Sequence, residues 1–116
     1  MSKDADPRSR RKDPRASCSW KVRVVNAQKK QFKGKVVNVS LGGVMLETDS
    51  AFSIGENLYM EIQATHQNKN QVIVVVGEVT YAALGKGGHH QIGLKFATDT
   101  SKFRNFLREY VADKAI

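Results

Sequence analysis

Apolar side chains recur at every second position along most of this 116-residue chain. A period of two is typical of strands that bury one face and leave the other in water. In the first stretch, Cys18, Trp20, Val22 and Val24 alternate with mostly polar neighbours. Polar or glycine-containing segments separate the stretches, as loops between short strands do. The pattern predicts strands at 16–25, 32–40, 44–48, 58–64, 72–81 and 91–96.

The period changes near the C-terminus from that of a strand to that of a helix. Asp99, Thr100 or Ser101 can supply the oxygen that caps the first turn. The next apolar residues are spaced three and four apart, as in one stripe of an amphipathic helix: Phe103, Phe106, Leu107, Tyr110 and Val111. The fold class that follows is mainly β, a six-stranded antiparallel β-barrel covered by a C-terminal α-helix.

Charge distinguishes the N-terminal segment and limits the class of partner. The chain has 19 Lys and Arg against 11 Asp and Glu, for a net charge of +8. This excess favours a polyanionic partner, such as a nucleotide, a nucleic acid or an anionic membrane surface. Residues 1–15 are highly charged and lack apolar periodicity, so we expect a flexible basic arm there. The expected organisation is an arm over 1–15, a barrel over 16–98 and a helix over 99–113.

Cysteine content and hydropathy favour the cytoplasm. The single cysteine, Cys18, excludes an internal disulfide and fits a reducing compartment. No apolar stretch follows the charged N-terminus, so we expect no signal peptide. The longest aliphatic run, 72–76, is far too short to span a bilayer. The sequence therefore predicts a cytoplasmic protein without membrane insertion.

Two short motifs carry the chemistry that the sequence offers. The first is the R-R-x-x-x-R run of residues 10–15. Each of its guanidinium groups can clamp a phosphate or give two parallel hydrogen bonds to a guanine. The second is the N-x-S-x-x-G run of residues 38–43, in which Asn38 and Ser40 lie two apart and are expected on one strand face. Its two glycines allow a positive φ and a close approach of the backbone to a ligand.

In this order and at this spacing, the two motifs resemble the signature of the PilZ domain family, RxxxR followed by [D/N]xSxxG. The resemblance implies a stand-alone, single-domain receptor for the bacterial second messenger cyclic di-GMP, built on a PilZ-type barrel. In that family an arginine just before RxxxR accompanies binding of a self-stacked cyclic di-GMP dimer, so Arg10 implies two ligands per chain. The ligand-binding residues implied by the resemblance are Arg10, Arg11, Arg15, Asn38, Ser40, Gly42 and Gly43.

Three further residues are expected at the edge of this site. Gly93 should face outward beside Lys95, because both neighbours of Gly93 are expected in the core. The strand that holds them resembles the last strand of the PilZ family. Tyr81 ends the preceding strand, where some family members place an aromatic side chain near the nucleotide, although strand parity groups Tyr81 with the core-facing Val79.

The resemblance implies a signalling switch without a catalytic step. We expect the arm to close over the ligand and create a surface that a downstream protein partner recognises. No nucleophile with a neighbouring base and no pair of acids stands out, so no enzyme is expected. His66, His89 and His90 have no carboxylate or cysteine at ligand spacing, so neither a metal nor another cofactor is expected.

Two other functions remain open. A small basic β-barrel could bind RNA or single-stranded DNA, with exposed aromatic side chains stacked on the bases. Most aromatic residues here fall on predicted core faces, which argues against that function. A PilZ-like adaptor that has lost nucleotide binding is the second alternative, but such relatives usually lack the motif residues that are intact in this chain.

Overall fold

The computed structural model describes residues 14–114. Within these residues, one helix, α1 (Arg104–Lys114), follows six strands: β1 (Ala16–Val25), β2 (Gln31–Val39), β3 (Gly43–Thr48), β4 (Asn57–His66), β5 (Lys69–Leu84) and β6 (His90–Phe96). The strands form a closed antiparallel barrel in the order β1-β2-β3-β6-β5-β4. The predicted fold class is therefore confirmed. The expected arm lies outside the described residues, apart from its last two positions.

Alternate residues of the strands fill the barrel interior. In β1, Trp20, Val22 and Val24 are buried, as their spacing predicts. The other strands contribute large side chains that are almost fully buried, among them Leu46, Leu58, Met60, Ile62, Ile73 and Ile92. Because the interior is filled with side chains, a ligand of any size has to bind on the outer face or at the ends.

An irregularity in β2 corrects the predicted face of that strand. The period of two in the predicted strand 32–40 groups Val37 with Val39 and with Leu41, which follows it, on one buried face. In the structure, Val36 and Val39 are buried, whereas Val37 is only partly buried. The pairing of β2 with β3 shifts register between Val36 and Asn38. One extra residue in a strand reverses the parity of everything that follows, and here it exchanges Val37 for Val36.

The β4–β5 hairpin is longer than the sequence pattern predicted. The polar residues 65–70 between the predicted strands 58–64 and 72–81 indicate a loop, but β4 continues to His66 and β5 begins at Lys69. The remaining two residues, Gln67 and Asn68, have φ of 51° and 64°. Positive φ at both central residues is the geometry of a type I′ turn, which matches the twist of the strands on either side. This hairpin therefore extends beyond the neighbouring strands.

Helix α1 closes one end of the barrel. Leu107, Tyr110 and Val111 are buried against the core, as their helical spacing predicts. The ring of Tyr110 packs on Trp20 with 4.7 Å between centroids, and its hydroxyl donates a 2.7 Å hydrogen bond to the Ser17 carbonyl oxygen. Asp99 accepts hydrogen bonds from the backbone and side chain of Ser101 at the start of a 3-10 turn, and α1 itself begins at Arg104.

Candidate ligand-binding face

One hydrogen bond joins the two sequence motifs. The guanidinium of Arg15, just before β1, donates to the side-chain oxygen of Asn38 on β2 over 2.9 Å. Ser17 of β1 lies directly opposite Asn38, so the pairing of the two strands brings the arm and the second motif together. Both Arg15 and Asn38 are partly buried, which leaves part of each side chain in contact with water. The other two motif arginines, Arg10 and Arg11, lie outside the described residues.

Ser40 belongs to a tight turn and not to the strand. We expected Ser40 to share a strand face with Asn38, but β2 ends at Val39 and Ser40 is only 6% exposed. Its hydroxyl oxygen accepts hydrogen bonds from the backbone N–H groups of Gly42 and Gly43, each over 3.2 Å. Its own N–H donates to the Gly43 carbonyl oxygen over 2.9 Å. In this structure the Ser40 hydroxyl shapes the turn that follows Asn38.

The second glycine of this turn is required by strand packing. A Cβ on Gly43 would lie 2.2 Å from the Leu94 carbonyl oxygen of β6. Gly43 does not have a positive φ, so the reason for glycine is the close approach of β3 to β6 and not an unusual backbone conformation. From the sequence, this close approach is expected towards a ligand, so the neighbour that requires Gly43 is different from the predicted one. Gly42 is exposed, and its carbonyl oxygen accepts a hydrogen bond from the Phe96 N–H over 2.9 Å.

A row of residues on the outer face continues from Asn38 across the sheet. Asn38 pairs with Met45, Met45 with Gly93, and Gly93 with Tyr81. The pairing of β5 with β6 shifts register between Val79 and Tyr81, which turns Tyr81 outward and leaves it 48% exposed. Strand parity alone placed Tyr81 in the core, so the register shift corrects that expectation.

Gly93 does not form the bare patch that its outward position suggested. It is buried, and a Cβ there would lie 3.1 Å from the Cβ of Tyr81 and 3.6 Å from the Cε of Met45. These two side chains therefore cover the backbone of β6. Lys95, two residues further along, is exposed and lies between Gly43 and Glu78. Met45, Tyr81 and Lys95 border the surface that begins at Asn38, which we call the Asn38 face.

The sequence of the whole domain decides its family. The family model described as "PilZ domain" matches residues 9–113. This chain belongs to the PilZ domain family. The match includes both motifs, the six strands and nearly all of α1.

Solved structures support the same fold for this PilZ domain. MotI/DgrA, an inhibitor of motility from Bacillus subtilis, superposes with a TM-score of 0.80 at 18% identity, over 90% of this chain and 50% of that one. The PilZ domain of Escherichia coli YcgR with c-di-GMP superposes with a TM-score of 0.71 at 12% identity, over 90% of this chain and 91% of that one. The MrkH–c-di-GMP complex of K. pneumonia superposes with a TM-score of 0.72 at 16% identity, over 90% of this chain and 51% of that one. The chain thus spans about half the length of MotI and MrkH. Among curated protein sequences, none matches this chain significantly.

Basic side chains continue from this face onto the outside of β1 and β2. Lys21 lies directly opposite Lys35, and Arg23 lies opposite Lys33. Arg23 is bound by both oxygens of Glu61 on β4, at 3.0 Å and 2.6 Å. This contact, together with a hydrogen bond from Tyr59, holds the pKa of Glu61 below its usual value. Like charges on facing strand positions repel each other, although Glu61, and Glu47 opposite Lys35 on β3, offset part of this positive charge.

Other reactive groups of the PilZ domain are engaged in the fold. Burial raises the pKa of the Cys18 thiol to about 12, so the thiol is not an activated nucleophile. His66 contacts Asp113 over 2.8 Å, and His89 contacts Asp49 over 3.0 Å, two carboxylate partners that the sequence did not reveal.

Among residues 14–114, no three His, Cys, Asp or Glu side chains converge in a way that could hold a metal ion. No helix in that range has the length and apolar character needed to cross a bilayer.

Sequence reasoning missed the role of Met45 beside the site. Met45 faces outward between Asn38 and Gly93 because β3 pairs with both β2 and β6. The alternation of β3 gave its outward direction, but its neighbours depend on strand order. That order places β6 between β3 and β5, which no local pattern in the sequence specifies.

Proposed function

We propose that this PilZ domain is a receptor for cyclic di-GMP and that it acts by binding and not by catalysis. The observation that carries the proposal is the 2.9 Å hydrogen bond between Arg15 and Asn38, which brings together the two motifs of the family signature. Two structures with the same fold, from YcgR and MrkH, contain c-di-GMP. The positive net charge of the chain suits a ligand with two phosphates.

Arg15 and Asn38 keep hydrogen-bonding capacity after they have bound each other. A guanidinium has five N–H donors, and the contact with Asn38 is made through Nη1 of Arg15. The remaining donors can contact a phosphate or the O6 and N7 atoms of a guanine. The amide nitrogen of Asn38 can donate, and its oxygen has a second lone pair. We therefore assign both residues to direct ligand contact.

The proposal gives the residues of the turn a different role from that of Asn38. The Ser40 hydroxyl is buried and bonded to two backbone N–H groups, and Gly43 packs on the backbone of β6. These residues contribute to binding by fixing the path of the chain after Asn38. Exposed Gly42 can lie closer to the ligand, as can Tyr81 and Lys95 at the border of the face.

We propose that Arg10 and Arg11 complete the site and that two stacked ligands bind per chain. A stacked pair brings four phosphates, and three guanidinium groups on one short segment match that charge better than one does. In this proposal the basic arm over 1–15 closes over the ligand against the Asn38 face, and a downstream protein recognises the closed form.

Calorimetric titration of the full chain with cyclic di-GMP tests this function. We expect saturation at two ligands per chain, no heat from GTP or cyclic AMP, and recovery of intact cyclic di-GMP by chromatography afterwards. Saturation at one ligand contradicts the stacked pair, and hydrolysis contradicts a receptor without catalysis. Tighter binding of a random oligonucleotide, with a steep loss of affinity in salt, would favour a nucleic-acid function instead.

The variants Arg11→Ala and Arg15→Ala test the residue assignment. Each removes charge-assisted hydrogen bonds, for an expected loss of about 1.5–3 kcal/mol of binding free energy. The control is Arg108→Ala, which removes the same charge from an exposed position on α1. Unchanged affinity in the Arg15→Ala chain, with an intact fold, would show that the arm does not contact the ligand.

A further inference from the structure

Strand β5 extends well beyond β6, its neighbour on one side. β4 pairs with β5 from Lys69 to Glu78, whereas β6 pairs with β5 only from Gly77 to Leu84. The first half of β5 therefore has a neighbouring strand on its β4 side and none on its β6 side. On that open side the last backbone contacts from another described segment are at Val76.

The backbone direction at Val76 identifies which peptide groups lie along the open edge. The Val76 carbonyl oxygen accepts from the Ala97 N–H over 2.7 Å, and its N–H donates to the Thr98 hydroxyl over 3.1 Å. Both groups thus point toward the β6 side. In a strand, the N–H and C=O of alternate residues point to the same side. The peptide groups of Asn70, Val72 and Val74 therefore point toward the open edge, and no backbone hydrogen bond from the described residues reaches them there.

The side chains along this edge do nothing to block strand addition. Natural proteins usually protect an edge with charged residues, proline or a bulge. From Asn70 to Val76 the chain has no charged residue and no proline, and its pairing with β4 is regular. Val72 is 56% exposed and Val74 is 43% exposed. The edge thus offers three outward peptide groups and two exposed apolar side chains to a partner strand.

We propose that this edge of β5 pairs with the same edge of a second copy of this chain, antiparallel and with Val72 on the two-fold axis. In that register, Val72 lies opposite Val72 of the second copy, and Val74 lies opposite Asn70. All three residues with outward peptide groups form hydrogen-bonded pairs. The two β4–β5 hairpins then form one continuous four-stranded sheet.

The structure excludes registers further along β5, and a shift towards the hairpin turn would leave fewer peptide groups paired. A shift that placed the pair further along β5 would bring the second copy against Val76, where Ala97 and Thr98 already occupy the edge. In the proposed register, the residue of the second copy that reaches Val76 is Asn68. Asn68 has φ 64° and belongs to the hairpin turn. The β5 strand of the second copy therefore ends just before it would reach Ala97 and Thr98, which follow β6.

A second copy fits this edge because the edge is complementary to itself. Two chains of the same positive net charge approach each other here through an uncharged segment. Val72 and Val74 supply apolar contact on the outer face, and the edges match in length. Because only three residues from each chain pair, the interface is small, and the dimer is weak and dependent on concentration. This inference does not depend on the proposed nucleotide function.

Cross-linking of the full chain without nucleotide tests the register, in a Cys18→Ser background. In a hydrogen-bonded antiparallel pair the Cα atoms are about 5.5 Å apart, which a disulfide can span. Val72→Cys is therefore expected to give a covalent dimer under mild oxidation. Val74→Cys, two positions further along the same edge, places its two Cα atoms about 14 Å apart and is expected to form no covalent dimer. Cross-linking of both variants to the same extent, or of neither, would overturn the proposal.

Sedimentation equilibrium of the cysteine-free chain and its variants tests the surface without cross-linking. Val72→Lys places two ammonium groups face to face and is expected to weaken the dimer by roughly tenfold or more. The control, Leu84→Lys, changes a residue of β5 that is 69% exposed but pairs with β6, and is expected to dimerise like the parent. A parent chain that stays monomeric at every concentration would refute self-pairing, as would equal dimerisation of the Val72→Lys chain. Circular dichroism confirms that each variant is folded.

Discussion

At the scale of single residues, the signature N-x-S-x-x-G combines one residue suited to ligand contact with others that build the backbone around it. Asn38 is partly buried and bonded to Arg15. Ser40 and Gly43 are buried and bonded to the turn and to β6. Substitutions within one short motif should therefore separate into effects on affinity and effects on stability.

The Gly43→Ala chain should be destabilised by about 1–3 kcal/mol. Its new Cβ would lie 2.2 Å from the Leu94 carbonyl oxygen, which is backbone and cannot move without disturbing the β3–β6 pairing. Urea unfolding measures the difference. Gly93→Ala is the matched control, because its nearest neighbours are the side chains of Tyr81 and Met45, and its loss should be smaller. Equal stability of the Gly43→Ala and parent chains would show that β3 and β6 adjust freely.

The Cys18 thiol should react slowly in the folded protein. Burial raises its pKa to about 12, so at pH 8 very little thiolate is present, and the thiolate is the reactive form. Alkylation with iodoacetamide, followed by mass spectrometry, should be slower by orders of magnitude than in urea. If native and unfolded chains react at similar rates, the start of β1 opens far more often than its packing suggests.

At the scale of elements, the sequence predicts each strand and the helix but not their alignment. The period of two in β1 and the helical spacing in α1 are local properties. β1 forms over the predicted residues 16–25, and the helix forms from Arg104, later than the predicted start at residue 99. The predicted buried face of β2 and the predicted inward direction of Tyr81 were wrong. Register shifts near Val37 and Tyr81 reverse which alternate residues of the strand face the core. Such shifts are properties of the pairing between two strands, so the alternation within one strand does not contain them.

The attachment of α1 to the barrel should depend on Tyr110. Its hydroxyl donates to the Ser17 carbonyl oxygen, and Trp20 packs on its ring. Tyr110→Phe keeps the ring and removes the hydrogen bond, for an expected loss of about 0.5–1.5 kcal/mol in thermal or urea unfolding. Tyr59→Phe, which alters an outer-face tyrosine bonded to Glu61, is the control and should change stability less. The reverse order would mean that the helix is held by its apolar face alone.

At the scale of the whole molecule, the two proposed surfaces occupy different parts of the barrel, because the Asn38 face reaches β5 only at Tyr81 and the self-pairing edge lies at the other end of that strand. Arg15 and Asn38 belong to the β1–β2 side, and Val72 belongs to β5. In the order β1-β2-β3-β6-β5-β4, strands β2 and β5 are three apart in a ring of six. A closed, filled barrel offers no hinge between these two surfaces, so nucleotide binding and self-pairing should be independent.

This independence is testable with the same two variants in both assays. Val72→Lys should leave the calorimetric titration with cyclic di-GMP unchanged while it weakens the dimer, because β5 from 70 to 76 does not border the Asn38 face. Arg15→Ala should weaken nucleotide binding and leave sedimentation unchanged. If saturating cyclic di-GMP instead shifted the dimer equilibrium of the parent chain, binding and pairing would share a coupling free energy. The rigid barrel would then have to transmit a change from β2 to β5, and its register shifts near Val37 and Tyr81 would be the places to look for it.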